Sequence, residues 1–459
     1  MSLHIIILAA GQGKRMHTTK LKVLHTVGGK SMLERVVDVA SQLNADGIYV
    51  VYGYGGDQLK EALPFLPVHW VLQKEQLGTG HAVTQVLPLL PDEGKVLVLS
   101  ADVPLIQAQT LKQLIAQCQV GNNHHRASLG ILQAVFDNPF GLGRILYDEK
   151  GSICAIIEEK DASEQQRKIK EIYSGICCAT IPDLKRWLPK LCVDNAQGEY
   201  YLTGIIALAA VEGAPIVSCS VVEPNEILGV NNLLQLQEAE RIWQRRFAVN
   251  LMLSGVRLAD AARIDIRGEL ACGKDVFIDI NAVIEGNVVI GEGCIIEPNC
   301  LLRNVTLGAF CVIHANSVLD GCEIGDKCHI GPFSRLRPGT TLAERCKIGN
   351  FVETKNASLG ENSKASHLSY LGDTLIGKDV NIGAGTITCN YDGANKHQTT
   401  IEDGVFVGSD TQLIAPVTVG KNATIGAGCT IRKNVPAGEL TIMEVKQKVI
   451  NGWSRPKKN

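Results

Sequence analysis

The sequence predicts two architectures in one chain: an α/β, Rossmann-like domain followed by a left-handed parallel β-helix of hexapeptide repeats. Three observations predict it. An aliphatic residue recurs every six positions through much of the second half. In the first half, short unbroken apolar runs alternate with helical spacing. The chain has 459 residues, more than one hydrophobic core usually serves.

In the first half, Ile5 to Leu8 and Val96 to Leu99 are continuous apolar runs, as strands buried on both faces should be. Ser31 to Leu43 puts Leu33, Val36, Val37 and Ala40 on one helical face, and Ile48 to Tyr52 reads as the next strand. Strand, helix, strand argues for a doubly wound sheet, whose ligands sit outside the carboxyl ends of the strands. Leu233 to Leu253 carries Leu233, Leu236, Ala239 and Ile242 with charges between them, the pattern of one amphipathic connecting helix. The expected division is 1–229 for the α/β domain, 230–254 for the connecting arm and 255–459 for the β-helix.

The repeats begin at Ile278 and run through Ile284, Ile290, Ile296 and Leu302. After one-residue deletions they resume at Leu307, Ile313 and Leu319, then at Ile324, Ile330, Leu336, Leu342 and Ile348. Ile376 and Ile382 continue the series, followed by Val407, Leu413, Val419, Ile425 and Ile431. No helix has a six-residue period. Six residues per face and three faces per coil, with the aliphatic side chain inward, is the β-helix solution. The period breaks between Lys364 and Leu375 and again between Ile387 and Thr400. Both stretches, SHLSYLGD and TCNYDGANKHQTT, are expected to leave the solenoid as loops on one face.

The formal net charge of −2 gives no global electrostatic case for nucleic acid or an anionic membrane as partner. The apolar run near the start ends at Gly11, too short to span a bilayer, and no charged leader precedes it. A cytoplasmic location is expected. The fifteen cysteines show no CxxC pair and no zinc-like His spacing. They read as reduced, small, buried hydrophobes.

Residues with chemical potential cluster after the predicted strands. LAAGQGKRM, Leu8 to Met16, places Gly11 and Gly13 where backbone N–H groups can approach phosphate oxygens, with Lys14 and Arg15 adding charge. A bland tight turn is the alternative, since the spacing matches neither a dinucleotide fingerprint nor a Walker loop. Lys22 follows after a short loop. Asp102 follows the VLVLS strand, in the crevice where such sheets bind ligands; it suits a Mg²⁺ ligand or, alternatively, a helix cap.

LAAGQGKRM, Lys22, QLGTGHA, ADVPLI, GLGR, IIEEKDA and GVNN together resemble the sugar-1-phosphate nucleotidyltransferases. With GPFSRLRPG, VETKNASLG, SHLSYLGD, NIGAGTITCNYDGANK and VFVGSDTQLIAPVTVG added, the chain from Ile5 onward resembles a bacterial bifunctional family. That family joins N-acetylglucosamine-1-phosphate uridyltransferase to glucosamine-1-phosphate N-acetyltransferase. The resemblance implies uracil recognition by Gln73, Gly78 and Thr79, with Leu8, Ala10 and Gly11 along the nucleotide. It implies sugar contacts from Gly143, Glu158 and the position of Tyr173, Mg²⁺ on Asp102 and Asn231, and charge stabilisation by Arg15 and Lys22. For the second activity it places Arg337, Lys355, Tyr370, Asn381 and Lys396 around glucosamine-1-phosphate. Ala384, Asn390, Tyr391, Ser409 and Ala427 would line the acetyl-CoA groove, Asn390 also lying beside the sugar phosphate. His367 is the expected general base, because an imidazole can accept the amine's proton at physiological pH. The family is trimeric, so a homotrimer using UTP, acetyl-CoA and glucosamine-1-phosphate is expected, supplying peptidoglycan and lipopolysaccharide precursors.

The chain departs from the family pattern at Leu21 (usually Pro), Ala101 (Gly), Tyr173 (Asn), Gly204 (Asp) and Glu444 (Arg). The Ala101 methyl and the Tyr173 ring are expected to crowd the sugar and make uridyl transfer slower or shifted to another sugar phosphate. Lys446 or Lys448 is the expected substitute for the missing Arg.

Overall fold

The structure, a computed structural model, describes residues 2–11, 13–53, 55–118, 129–444 and 447–455. The chain forms two compact units, Met1–Trp243 and Gln244–Asn459, and the division falls inside the helix Leu233–Leu253.

The first unit is built on strands β1 (Leu3–Leu8), β2 (Gly47–Tyr52), β3 (His69–Leu72), β4 (Lys95–Ser100), β5 (Leu129–Val135), β6 (Gly143–Tyr147), β7 (Ile153–Ile157), β8 (Glu171–Thr180) and β9 (Ile216–Ser220). Their order across the sheet is β9-β5-β8-β4-β1-β2-β3, with β6 attached to β8 and β7 to β6. The alternation of strand side chains splits the core in two. Ile5 and Ile7 of β1, with Leu97 and Leu99 of β4, pack on one side; Ile6, Val96 and Val98 pack on the other. Helix α1 (Met32–Ser41) starts at Ser31, whose hydroxyl accepts from Glu34 N while the Glu34 carboxylate accepts from Ser31 N, a reciprocal cap. Its Leu33, Val36, Val37 and Ala40 are buried against β1 and β2; each of the larger three contributes about 1.5–3 kcal/mol. The sheet is not wholly parallel, however. β8 runs antiparallel to β4, β5 and β6, so the apolar runs of a doubly wound sheet conceal one reversed central strand.

In the second unit the strands stack into two parallel ladders, one of 11 and one of 13 strands. Every aliphatic residue of the six-residue series, from Ile278 to Ile431, is buried. The coils begin before Ile278: Arg257–Leu258 and Ile264–Cys272 already pair with the next coil. Cysteines fill one inward column, Cys294, Cys311, Cys328 and Cys346, each at most 1% exposed. Each precedes a residue of the aligned set Ile295, Val312, His329 and Lys347. None of the fifteen cysteines is in a disulfide, and most are buried as expected, but Cys192 is exposed.

One expectation about the solenoid is corrected. SHLSYLGD does not leave the coil. Lys364–His367 pairs with Lys347–Asn350, and Tyr370–Ile376 pairs with Glu353–Leu359, in unbroken register. The inward positions here are Thr354, Leu359, Ala365 and Leu371, all at most 1% exposed. Thr and Ala interrupt the aliphatic pattern without interrupting the backbone. The second stretch is a true insertion: register carries Leu359 onto Ile376 but Ile376 only onto Ile401, and the extra residues between Asn390 and Thr399 are largely exposed.

Two departures from the family pattern also fall differently from expectation. Ala101 is fully buried in the core beside Leu99 and Val103, so its methyl packs inward rather than toward a ligand. Tyr173 is 6% exposed and packs with Ile131, Ile145, Ile153 and Cys177. Its hydroxyl has no nitrogen or oxygen hydrogen-bond partner, and both the Cys177 thiol and the Glu158 carboxyl act on it. The alternation of β8 carries the ring into the core, at the register position opposite Gly143. His124 and His125, whose polar sequence surroundings read as a loop, lie outside the described residues, as does Lys446.

Two stability measurements check these placements. Ala365→Leu adds volume at an inward position and is expected to cost about 1–3 kcal/mol in denaturant unfolding of the second unit; a residue on an exposed loop would tolerate the change. Tyr173→Asn is expected to cost roughly 3–5 kcal/mol by emptying a ring-sized space. A neutral result would place the ring at the surface.

Two candidate active sites

In the first unit, β1 has β2 on one side and β4 on the other, so the chain reverses its direction of winding there. The crevice outside the carboxyl ends of β1 and β4 opens into a cavity of about 450 Å³. Ala101 N donates to Leu8 O at 3.0 Å and Ala9 N to Val51 O at 2.8 Å, holding both strand ends together. The cavity is lined by Leu8, Ala10, Gly11, Lys22, Gln73, Gly78, Thr79 and Asp102, all anticipated from sequence. It also takes in Gln76, Ser100 and Glu199, which sequence reasoning missed.

The turn after β1 needs glycine at position 13, where φ is +62° and a Cβ would lie 2.7 Å from the Lys22 Cβ. That close approach brings Lys22 over the loop. Its Nζ donates to Asn231 Oδ1 at 2.8 Å and forms a short ion pair with Asp102 Oδ2. Arg15 Nη2 donates to the same Asn231 oxygen at 2.9 Å. Ser100 Oγ donates to Asp102 Oδ1 at 2.6 Å, and Val230 N to Asp102 O at 2.8 Å. Asp102 caps no helix: the next one, Ala108–Gln117, begins after Gln107. Two cationic side chains and two oxygen donors thus meet at the end of the phosphate-type loop.

Gln73, Gly78 and Thr79 are fixed by their own network. Gln73 is 2% exposed, and its Nε2 lies 3.1 Å from Gly78 O and 3.0 Å from His81 Nδ1. Gly78 has φ +110° and approaches the Tyr200 backbone too closely for a side chain. Thr79 Oγ1 accepts from Leu202 N at 2.9 Å. Gly143 and Glu158 lie apart from this lining. A Cβ on Gly143 would sit 3.6 Å from Glu158 Oε2, so the missing side chain leaves room beside that carboxyl. Burial pushes the Glu158 carboxyl above the usual carboxylate range, against the pull of the Thr203 hydroxyl 3.5 Å away. Glu158 opens instead, with Tyr201, Thr203 and Gly204, onto a second cavity of about 370 Å³.

In the second unit the register builds the site. Glu353 stacks on Tyr370 and Lys355 on Gly372. The Tyr370 hydroxyl occupies the place a Gly372 Cβ would take, so the ring lies back across the coil. Lys396 comes from the insertion, bridged to Tyr391. Lys396 first, then Arg337, hold the Lys355 ammonium below the ordinary lysine value, with Asp373 pulling the other way. Arg337 Nη1 donates to Glu353 Oε1 at 2.9 Å, and Asp373 accepts from Asn356 Nδ2 at 2.7 Å and from Asn390. Three converging cations outnumber the two carboxylates, Glu353 and Asp373, and form a seat for an anion.

His367 is exposed at the end of its strand, with Nδ1 2.9 Å from Asn350 Oδ1. Asn381 stands beside Lys364 in the next coil. Tyr391 is exposed, its hydroxyl donating to Gly393 O at 2.6 Å. Ile382, Val407 and Ile425 stack in one column, and Ala384, Ser409 and Ala427 each follow two positions later. Asp410 N donates to Ala384 O at 2.7 Å and Gly428 N to Ser409 O at 2.8 Å, so these small residues form a shallow strip across three coils. Glu444 is exposed, as is Lys448.

Comparison with known proteins agrees with both halves. Residues 5–149 match the MobA-like NTP transferase domain, residues 266–344 the GMPPB C-terminal domain, and residues 398–433 the bacterial transferase hexapeptide (six repeats). The chain is 63% identical over 458 residues to the bifunctional protein GlmU of Legionella pneumophila (strain Lens), covering 100% of this chain and 99% of that protein. It is 53% identical to the protein of that name from Marinobacter nauticus, over 99% of each chain. It is 49% identical to that of Alkalilimnicola ehrlichii, over 99% of this chain and 97% of the relative. The chain therefore belongs to the bifunctional GlmU family.

Proposed function

We propose that this chain makes UDP-N-acetylglucosamine in two steps at two separate sites. Acetyl transfer from acetyl-CoA to glucosamine-1-phosphate occurs on the solenoid; uridyl transfer from UTP, releasing pyrophosphate, occurs on the α/β unit. What carries the reading is full-length kinship to bifunctional relatives, with a cavity that holds Lys22 and Asp102 in one unit and an anion seat in the other.

In uridyl transfer the sugar phosphate oxygen attacks the α-phosphorus and the P–O bond to pyrophosphate breaks. Arg15 and Lys22 hold the phosphates in line and spread the charge that develops. Gln73, Gly78 and Thr79 hold the base. Asp102 and Asn231 fit Mg²⁺: both supply oxygen, and their oxygens already converge on one cation, the Lys22 ammonium. When bound, Mg²⁺ would neutralise phosphate charge.

In acetyl transfer the amine nitrogen bonds to the thioester carbonyl carbon, the C–S bond breaks and the thiolate leaves. His367 takes the amine proton. Arg337, Lys355 and Lys396 grip the phosphate, and Tyr370 and Asn381 orient the sugar. Ala384, Asn390, Tyr391, Ser409 and Ala427 receive the cofactor, with Lys448 a candidate for its phosphates. The reading includes a cytoplasmic homotrimer. No helix among the described residues is long and apolar enough to cross a membrane.

Assay of each half-reaction on the purified protein tests this. His367→Ala should abolish acetyl transfer and leave uridyl transfer near wild type; loss of both in a folded protein would contradict separate sites. Asp102→Ala should lower Mg²⁺-dependent uridyl transfer at least about a hundredfold and leave acetyl transfer unchanged. Normal uridyl transfer would make Asp102 structural.

A further inference from the structure

Asn350 and His367 stand one above the other in adjacent coils. The Asn350 amide oxygen lies 2.9 Å from His367 Nδ1. An amide oxygen carries only lone pairs, so this bond holds only when the hydrogen is on Nδ1. A neutral imidazole with its hydrogen on Nδ1 presents the lone pair on Nε2. In the other tautomer two lone pairs would face each other at the same distance.

Asn350 is itself fixed. It closes the strand Lys347–Asn350, and its backbone carbonyl accepts from Leu368 N at 3.1 Å. One residue therefore grips two successive residues of the next coil, His367 by its side chain and Leu368 by its main chain. Leu368 turns sharply there, with φ +49°. The imidazole is held at its backbone and at one ring nitrogen, while Nε2 remains directed outward from that bond. An amide does this without adding a charge.

We propose that Asn350 is a positioning residue for acetyl transfer: it holds His367 in the tautomer whose Nε2 accepts the amine proton. This rests on the reading of His367 as the base. Partners that fix the tautomer of a metal-bound histidine are worth about tenfold or more in activity, and the same scale is expected for a histidine that must present one nitrogen as a base.

The test uses the full-length protein and both half-reactions. Asn350→Ala is expected to lower kcat for acetyl transfer about tenfold, with KM for glucosamine-1-phosphate and acetyl-CoA within about twofold. Uridyl transfer should be unchanged. Asn350→Asp keeps an oxygen acceptor in place and should recover most of the loss. In the unsubstituted protein, ¹⁵N shifts of labelled His367 should show Nδ1 protonated and Nε2 free, a readout independent of whether any variant folds. Wild-type kcat in Asn350→Ala, a loss not recovered by Asn350→Asp, or the opposite tautomer would overturn the proposal. His367→Ala separates the two ideas: if it retains acetyl transfer the base assignment itself fails, whereas an inactive His367→Ala beside a fully active Asn350→Ala sinks only the role of Asn350.

Discussion

The second unit depends on one constraint: each coil must satisfy its backbone hydrogen bonds on the coils before and after it. Lys364 N donates to Val380 O and Tyr370 N to Thr386 O, and such bonds run the length of the solenoid. A side chain one coil away in sequence is therefore a neighbour in space, whatever lies between. Asn350 meets His367, Lys355 meets Gly372, and Ala384, Ser409 and Ala427 line up for this reason alone. The site needs no special loop to assemble it, apart from the insertion that brings Lys396. Rigidity of the coil becomes rigidity of the side chains it carries, which is what positioning by a scaffold requires.

The first unit reaches the same end differently. Its site lies where β1 and β4 stop, and the strands are tied there by the bond from Ala101 N to Leu8 O. Gly13 lets the loop close on Lys22, and Lys22 gathers Asp102 and Asn231 from distant parts of the chain. The cost of holding these charges together is offset by hydrogen bonds at each oxygen: Ser100 on Asp102, Arg15 on Asn231. A polar network satisfied in this way specifies one geometry.

Much of this was legible in sequence because its causes are periodic or local. The aliphatic hexad, the capped helix at Ser31 and the residues around the β1 turn all announce themselves. What was not legible depends on register. Thr354 and Ala365 point inward where the pattern called for large aliphatics, so a continuous coil looked like a loop. The burial of the Tyr173 ring depends on the alternation of β8 beside a bulge, which composition does not disclose. The antiparallel β8 was hidden because its apolar run reads the same in either direction. Asn350 was missed, although it lies 17 positions before His367, the separation of one coil.

The central claim is that His367 and its neighbours ride on an unbroken coil. Backbone hydrogen–deuterium exchange tests it most directly. The account predicts that amides in 364–371 exchange as slowly as those in 347–354 and much more slowly than those in 391–397. Exchange of 364–371 as fast as the 391–397 insertion would show a loop, and would contradict it.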